Sequence, residues 1–313
     1  MNEIFNMKKA QSPSQNETSC PICGKTGRVV GISKFQDVVK CRECKLRYLK
    51  KSIRLKAPKC DEWYKDMRDC PRSRVETFIA DMKKPYLRQL SILEKLAAEK
   101  SLLDVGSGIG IFLSLAKQQG WDIYGVEENE HAFYFAERQF GIKYSKGFDN
   151  FADSSVDVIR ISHVLEHIPE PHEFLAQLSR ILKPNGILMV IVPNCEPLCG
   201  MIINKIRSMI SKKPKFSGAV DPYGHVLGFT TKALSNFLQQ FDLKEIDLFT
   251  ASMGNATYFP MFYDGLLRIT PFSQISFISL LRFWMPMIIN NVGNSFDRGC
   301  WIVGYFRKNK DMK

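Results

Sequence analysis

A chain of 313 residues is long enough to bury a large core with a smaller module beside it. At 45% hydrophobic and 24% charged residues it has the make-up of a folded globular protein, which excludes a chain disordered throughout. Its net charge of +12 suits nucleic acid, anionic lipid headgroups or a phosphorylated substrate; it does not choose among them, and a generally basic surface explains it equally well.

In chain order, residues 1–18 are polar, lack an apolar run and read as a flexible tail, neither signal peptide nor anchor. Residues 19–50 are a cysteine module. Four of the nine cysteines stand there in two pairs, Cys20-Pro-Ile-Cys23 and Cys41-Arg-Glu-Cys44, seventeen residues apart. Each pair can offer two thiolates to one metal, and a hairpin between them would bring the pairs together. Four thiolates suit tetrahedral Zn²⁺ in a closed structural site, which makes 19–50 a zinc ribbon. The alternatives are a metal-free thiol cluster or a redox pair, and the region lacks the βαβ pattern of the redox motif. So small a module has little core, and the metal would supply its folding energy. Without an export signal, reduced thiols point to a cytoplasmic protein.

Residues 51–99 are a connector that becomes helical: Ile79, Met82, Leu87, Leu90, Leu93 and Leu96 recur at three- to four-residue spacing, with Pro85 as a kink or fresh start. From residue 100 to 195 strand and helix alternate. Strands are predicted at 101–105, 122–126, 156–162 and 187–192, and helices at 111–119, 129–140 and 171–182, the last leaving through Lys183-Pro-Asn-Gly186. Such alternation implies an α/β fold with a parallel sheet covered on both faces. The stretch after 196 is less regular and closes with a strand at Cys300–Phe306.

The chemistry centres on Leu102-Leu-Asp-Val-Gly-Ser-Gly-Ile-Gly110, a strand running into glycines at the mouth of a helix. A dinucleotide site wants G-x-G-x-x-G. Here glycines stand at 106, 108 and 110, Ile111 takes the third glycine's place, and Asp104 adds negative charge near the turn. That is poor for a pyrophosphate and good for a cationic, amine-bearing ligand. Asp104-x-Gly106-x-Gly108-x-Gly110 resembles the first motif of class I S-adenosyl-L-methionine (SAM) dependent methyltransferases. The resemblance implies a Rossmann-like sheet of seven strands, and a loop of Asp104, Gly106, Ser107, Gly108 and Gly110 cradling the methionine part of SAM. It also implies a ribose-binding carboxylate at the end of the next strand, which register assigns to Glu127 rather than Glu128. The likeness continues for about ninety residues through Val156–Ile159, Ser162–His167, the approach to 187–192, and Val192-Pro-Asn194. It puts Gly147-Phe148 at the adenine, although the acid often found there is offset to Asp149.

The ribbon joined to this domain, 100–313, resembles bacterial methyltransferases that modify sugars or other small metabolites. Cys44–Leu49 and the tyrosine-bearing turn at 61–64 follow that pattern, while Lys45 replaces a usual glycine. In those enzymes a histidine ahead of a helix lies at the acceptor pocket. The resemblance thereby makes His225 the first candidate general base, within Asp221-Pro-Tyr-Gly-His225, with Tyr223 beside it. His163, at the end of the fourth strand, is the second candidate and also faces the donor. A structural imidazole is the alternative for each histidine, and Glu166 and His167 are read as structural.

Two inserts, 196–220 and 251–297, are basic or apolar and aromatic. They read either as lids on the pocket or as elements lying in a membrane interface, with lysines on anionic headgroups. The reading in best accord with all these features is methyl transfer to a small-molecule acceptor, a sugar or a glycan- or lipid-linked intermediate, with peripheral membrane contact. The alternative is an RNA methyltransferase gripping its substrate through ribbon and basic surface. Against it, the ribbon lacks an aromatic-plus-arginine stacking pattern, and Val192-Pro-Asn-Cys195 lacks the second proline and aromatic residue of the amino-directed nucleic-acid motif.

Overall fold

The computed structural model describes residues 19–34, 36–50, 72–211, 220, 224–252 and 285–310. The 1–18 tail, the 61–64 turn, Tyr223, the lysines after Ser211 and the aromatic stretch 253–284 lie outside the described residues.

The main sheet has seven strands. Five are parallel: β4 (Ser101–Val105), β5 (Asp122–Val126), β6 (Tyr144–Ser145), β7 (Val156–Ser162) and β8 (Leu182–Pro193). β11 (Trp301–Lys308) alone runs antiparallel, between β8 and β10 (Leu243–Ala251), which runs in the direction of the other five; the order is β10-β11-β8-β7-β4-β5-β6. The sequence places β4, β5 and β7 at the observed bounds. β8 differs: Leu182 already pairs with Val156, and the register then shifts so that Ile187 faces Val158. Lys183 to Gly186 are thus a bulge in the strand rather than a separate exit, with Asn185 at φ 62 turning it.

Alternation along the strands sorts the core into two layers. Leu102, Val158, Met189, Ile191 and Val303 face one way. There they meet α1 (Arg72–Leu96), α2 (Ile111–Gln118) and α3 (Glu130–Phe140). α1 runs unbroken through Pro85, which has no N–H for the carbonyl of Asp81. Asn129 caps α3 by accepting from His131 and Ala132 N–H groups. Leu103, Ile159, Ile161, Leu188 and Val190 face the other way, toward α4 (Pro171–Ile181) and α6 (Thr231–Leu238). Thr230 caps α6, its hydroxyl accepting from Ala233 N at 3.1 Å.

The same second layer takes in the cysteine module. β1 (Gly27–Ser33), β2 (Gln36–Cys41) and β3 (Arg47–Leu49) form an antiparallel sheet whose Val38, Val39, Leu46 and Tyr48 merge with the main core. A fourth strand, β9 (Leu227–Gly228), joins it by pairing with β3. It comes from the far side of the chain, so the module's sheet is completed by a segment of the main domain. Between β8 and β9, α5 (Leu198–Ile210) packs against α7 (Met285–Asn294). No helix among the described residues is long and apolar enough to cross a membrane.

Candidate functional site

β4 ends in the glycine turn. Gly106, Gly108 and Gly110 all take positive φ, at 69°, 55° and 81°. At two of them only glycine fits. A Cβ on Gly106 would lie 2.4 Å from Val164 Cγ2, and one on Gly110 would lie 2.6 Å from the Tyr144 hydroxyl. The loop is closed from the neighbouring strand: Gly108 N donates to Glu127 Oε2 at 2.7 Å. Glu127 Oε1 accepts from Glu128 N at 2.9 Å and Asn129 N at 2.8 Å. Burial pushes this carboxyl above its usual range, and the three N–H donors pull it back only in part. Ser107 leans its hydroxyl on the Val126 carbonyl at 3.5 Å. Tyr144 props the loop from beneath, donating to Gly108 O at 3.2 Å.

Asp104 is 1% exposed and turns inward rather than into the mouth of the loop. Arg160 of β7 donates to its Oδ1 at 2.8 Å, and Oδ2 takes no hydrogen bond among the described residues. Arg160 is itself held by Gln89 of α1 at 3.1 Å and lies 4.1 Å from the Phe112 ring centroid. Burial pushes the Asp104 carboxyl up and Arg160 opposes it. Arg160 and Gln89 carry no motif in the sequence; an arginine inside an apolar strand was the one available signal. Phe148 is buried edge-on to Phe174 at 5.9 Å, so its ring serves the core.

Beyond β7 the chain turns sharply at His163, φ 58, into a short 3-10 turn, Leu165–His167. This brings four residues of the sequence reading together. Glu166 is fully buried, with His163 Nδ1 3.3 Å and His225 Nε2 3.9 Å from its Oε1. The His167 and His225 rings lie 4.8 Å apart. Burial raises the Glu166 carboxyl, but the facing imidazoles, His163 first, bring it below the usual range. Sequence reading singled out His163 and His225 and set Glu166 and His167 aside as structural; the geometry places all four in one cluster.

The methyltransferase domain family matches residues 77–248, more than half of the chain. The chain belongs to that family. An uncharacterized methyltransferase of Mycobacterium sp. (strain KMS) is 32% identical over 95 residues, 29% of this chain and 38% of the relative. One of Mycobacterium tuberculosis (strain ATCC 25618 / H37Rv) is 32% identical over 97 residues, with the same coverage of 29% and 38%. The chain thus spans about two fifths of the length of these curated relatives. A chain in the solved complex of the Haloferax volcanii Trm112 methyltransferase activator superimposes with a TM-score of 0.50 at 13% identity, covering 81% of this chain and 97% of that one. That likeness and the strand order give the class I methyltransferase fold.

The methyltransferase domain is tied to the cysteine module beside His225. Val226, next to His225, accepts from Leu49 N at 3.4 Å. Glu196, just past β8, is gripped by Arg47 and Lys40 of the module and by Arg298. Burial would raise its carboxyl, and Arg47 holds it below the usual range. In the module, Cys20 and Cys44 sulfurs are 3.5 Å apart, as are those of Cys23 and Cys41. Four sulfurs about 2.3 Å from one ion would stand about 3.8 Å apart, so the cluster has the size of a tetrahedral zinc site. Gly24 and Lys45, each following a knuckle, share left-handed φ of 66° and 68°. Lys45 therefore adopts the glycine conformation that its place in the pattern demands.

Proposed function

We propose that the protein transfers a methyl group from SAM to a small-molecule acceptor, a sugar or a glycan- or lipid-linked intermediate. The carrying observation is the glycine loop closed by Gly108 and Glu127 with Asp104 behind it. Glu127 presents its carboxylate to the loop, and the buried Asp104–Arg160 pair backs the loop from behind. That suits a ligand with an amine and a sulfonium and repels a pyrophosphate. When bound, SAM supplies an electrophilic methyl carbon. Gly106, Ser107, Gly108 and Gly110 would line its methionine end, Glu127 would hold the ribose, and Phe148 would border the adenine.

The protein's own part is to align an acceptor oxygen or nitrogen with that carbon, which supplies much of the barrier reduction. On this reading His225 takes the acceptor proton, with His163 as the second candidate and Tyr223 two residues before His225 in the sequence. Cys20, Cys23, Cys41 and Cys44 hold a structural Zn²⁺. A membrane-delivered acceptor is favoured by α5, which exposes Ile206, Met209 and Ile210 beside Lys205.

Two measurements test this. Calorimetry should show SAM binding. Mass spectrometry with isotopically labelled SAM should find label in a polar-metabolite or glycolipid extract and none in total RNA offered in parallel. Label in RNA alone would reassign the acceptor. Absence of flotation with anionic liposomes would remove the membrane part.

A further inference from the structure

Glu166 is a buried carboxylate with too few partners. It is 1% exposed, and neither oxygen takes a hydrogen bond among the described residues. His163 Nδ1 at 3.3 Å makes a charge contact with Oε1, not an aligned hydrogen bond. Burying an ionised carboxylate this way is strongly unfavourable unless something supplies direct bonds to it.

The surroundings match one kind of supplier. Glu166, His167 and His225 each present a donor atom, all within 4.8 Å of one another. His167 Nδ1 lies 2.9 Å from the Gly224 carbonyl. A carbonyl only accepts, so Nδ1 carries the proton and, in the neutral ring, the lone pair is on Nε2. A backbone carbonyl holding one ring nitrogen is how metal-ligating histidines are oriented. Donors about 2.0–2.2 Å from a shared ion stand roughly 3–4 Å apart, so small side-chain rotations close this triad on a cation.

We propose that Glu166, His167 and His225 bind a divalent cation of the Zn²⁺, Co²⁺ or Mn²⁺ kind, separate from the four-cysteine site. Two imidazoles and a carboxylate are borderline donors, which favour these ions over Ca²⁺. Three protein ligands leave a position open, as in catalytic rather than structural sites. The segment also stands beside the cofactor loop, since Val164 packs against Gly106. If the methyl-transfer reading holds, an acceptor hydroxyl at the open position would lose its proton more easily. His225 is then a ligand, and the role of base given to it above passes to His163, the second candidate. The cation site itself does not rest on that reading.

The test uses the full-length, zinc-loaded protein without SAM. Mn²⁺ is the probe, because thiolates bind it poorly, and loss of the free-ion electron paramagnetic resonance signal is the readout. One Mn²⁺ per chain is expected. Glu166→Gln and His225→Ala should each weaken it by about tenfold or more. His225 is on a half-exposed loop, so its variant serves if Glu166→Gln does not fold. Co²⁺ gives a second readout: weak visible bands for this site, against intense near-ultraviolet thiolate bands for the cysteines. No bound Mn²⁺ or Co²⁺ at millimolar concentration, or binding unchanged in both variants, overturns the proposal. Since neither SAM nor turnover enters the measurement, its failure is distinct from failure of the methyl-transfer reading.

Discussion

The Gly108–Glu127 bond joins residues 19 apart in sequence, on adjacent strands. The His167–Gly224 bond joins residues 57 apart, and the loop that carries it is held by a strand of the cysteine module. The glycine loop and its closing carboxylate therefore come from one βαβ unit, and the Glu166–His225 cluster, the proposed acceptor side, from distant segments. The first depends on local turn geometry. The second depends on the ribbon keeping its shape. The two sides should fail separately, and the following experiments are meant to break or sharpen that contrast.

The largest effect should come from the cysteines. With the proposed zinc in place, Cys41→Ser or a chelator would take away a metal that contributes on the order of 10 kcal/mol to such modules. Turnover should be abolished as β3 releases β9, while SAM affinity by calorimetry changes less than about tenfold. Parallel loss of SAM binding would mean that the two sides are one cooperative unit. Next, Arg160→Met strands Asp104 as a buried carboxylate. A loss of about 3–5 kcal/mol is expected, read by chemical denaturation, together with weakened SAM binding. Glu127→Gln sets an NH₂ against one of the backbone N–H groups that the carboxylate accepts, and should weaken SAM by about 1.5–3 kcal/mol and lower the midpoint of thermal unfolding without SAM. The smallest effect is expected from Thr230→Ala, which removes the α6 cap for about 1 kcal/mol and leaves SAM affinity untouched.

The same contrast explains what could be read in advance. Strands β4, β5 and β7 declare themselves as short apolar runs ended by turn residues, and the glycine spacing identifies the donor loop. Asn129 and Thr230 announce their helices because a cap is a local hydrogen bond. Arg160, Gln89 and Glu166 gave no comparable signal. Their partners come from other elements, and nothing in a neighbouring residue shows that a carboxylate will be buried among imidazoles. Lys45 is an intermediate case: its place after the second knuckle asks for glycine, and the backbone complies without one. The bulge at 183–186 was hidden because Pro and Gly there look like the end of a helix when they are the start of a strand.

The pairing of β3 with β9 also has a temporal side. A ribosome releases β1, β2 and β3 first and supplies Leu227 and Gly228 about 180 residues later. For that interval the edge of β3 is an unpaired strand that can recruit the wrong neighbour. The cysteine module is made well before the strand that finishes it, and any nascent chain halted before β9 carries an open edge.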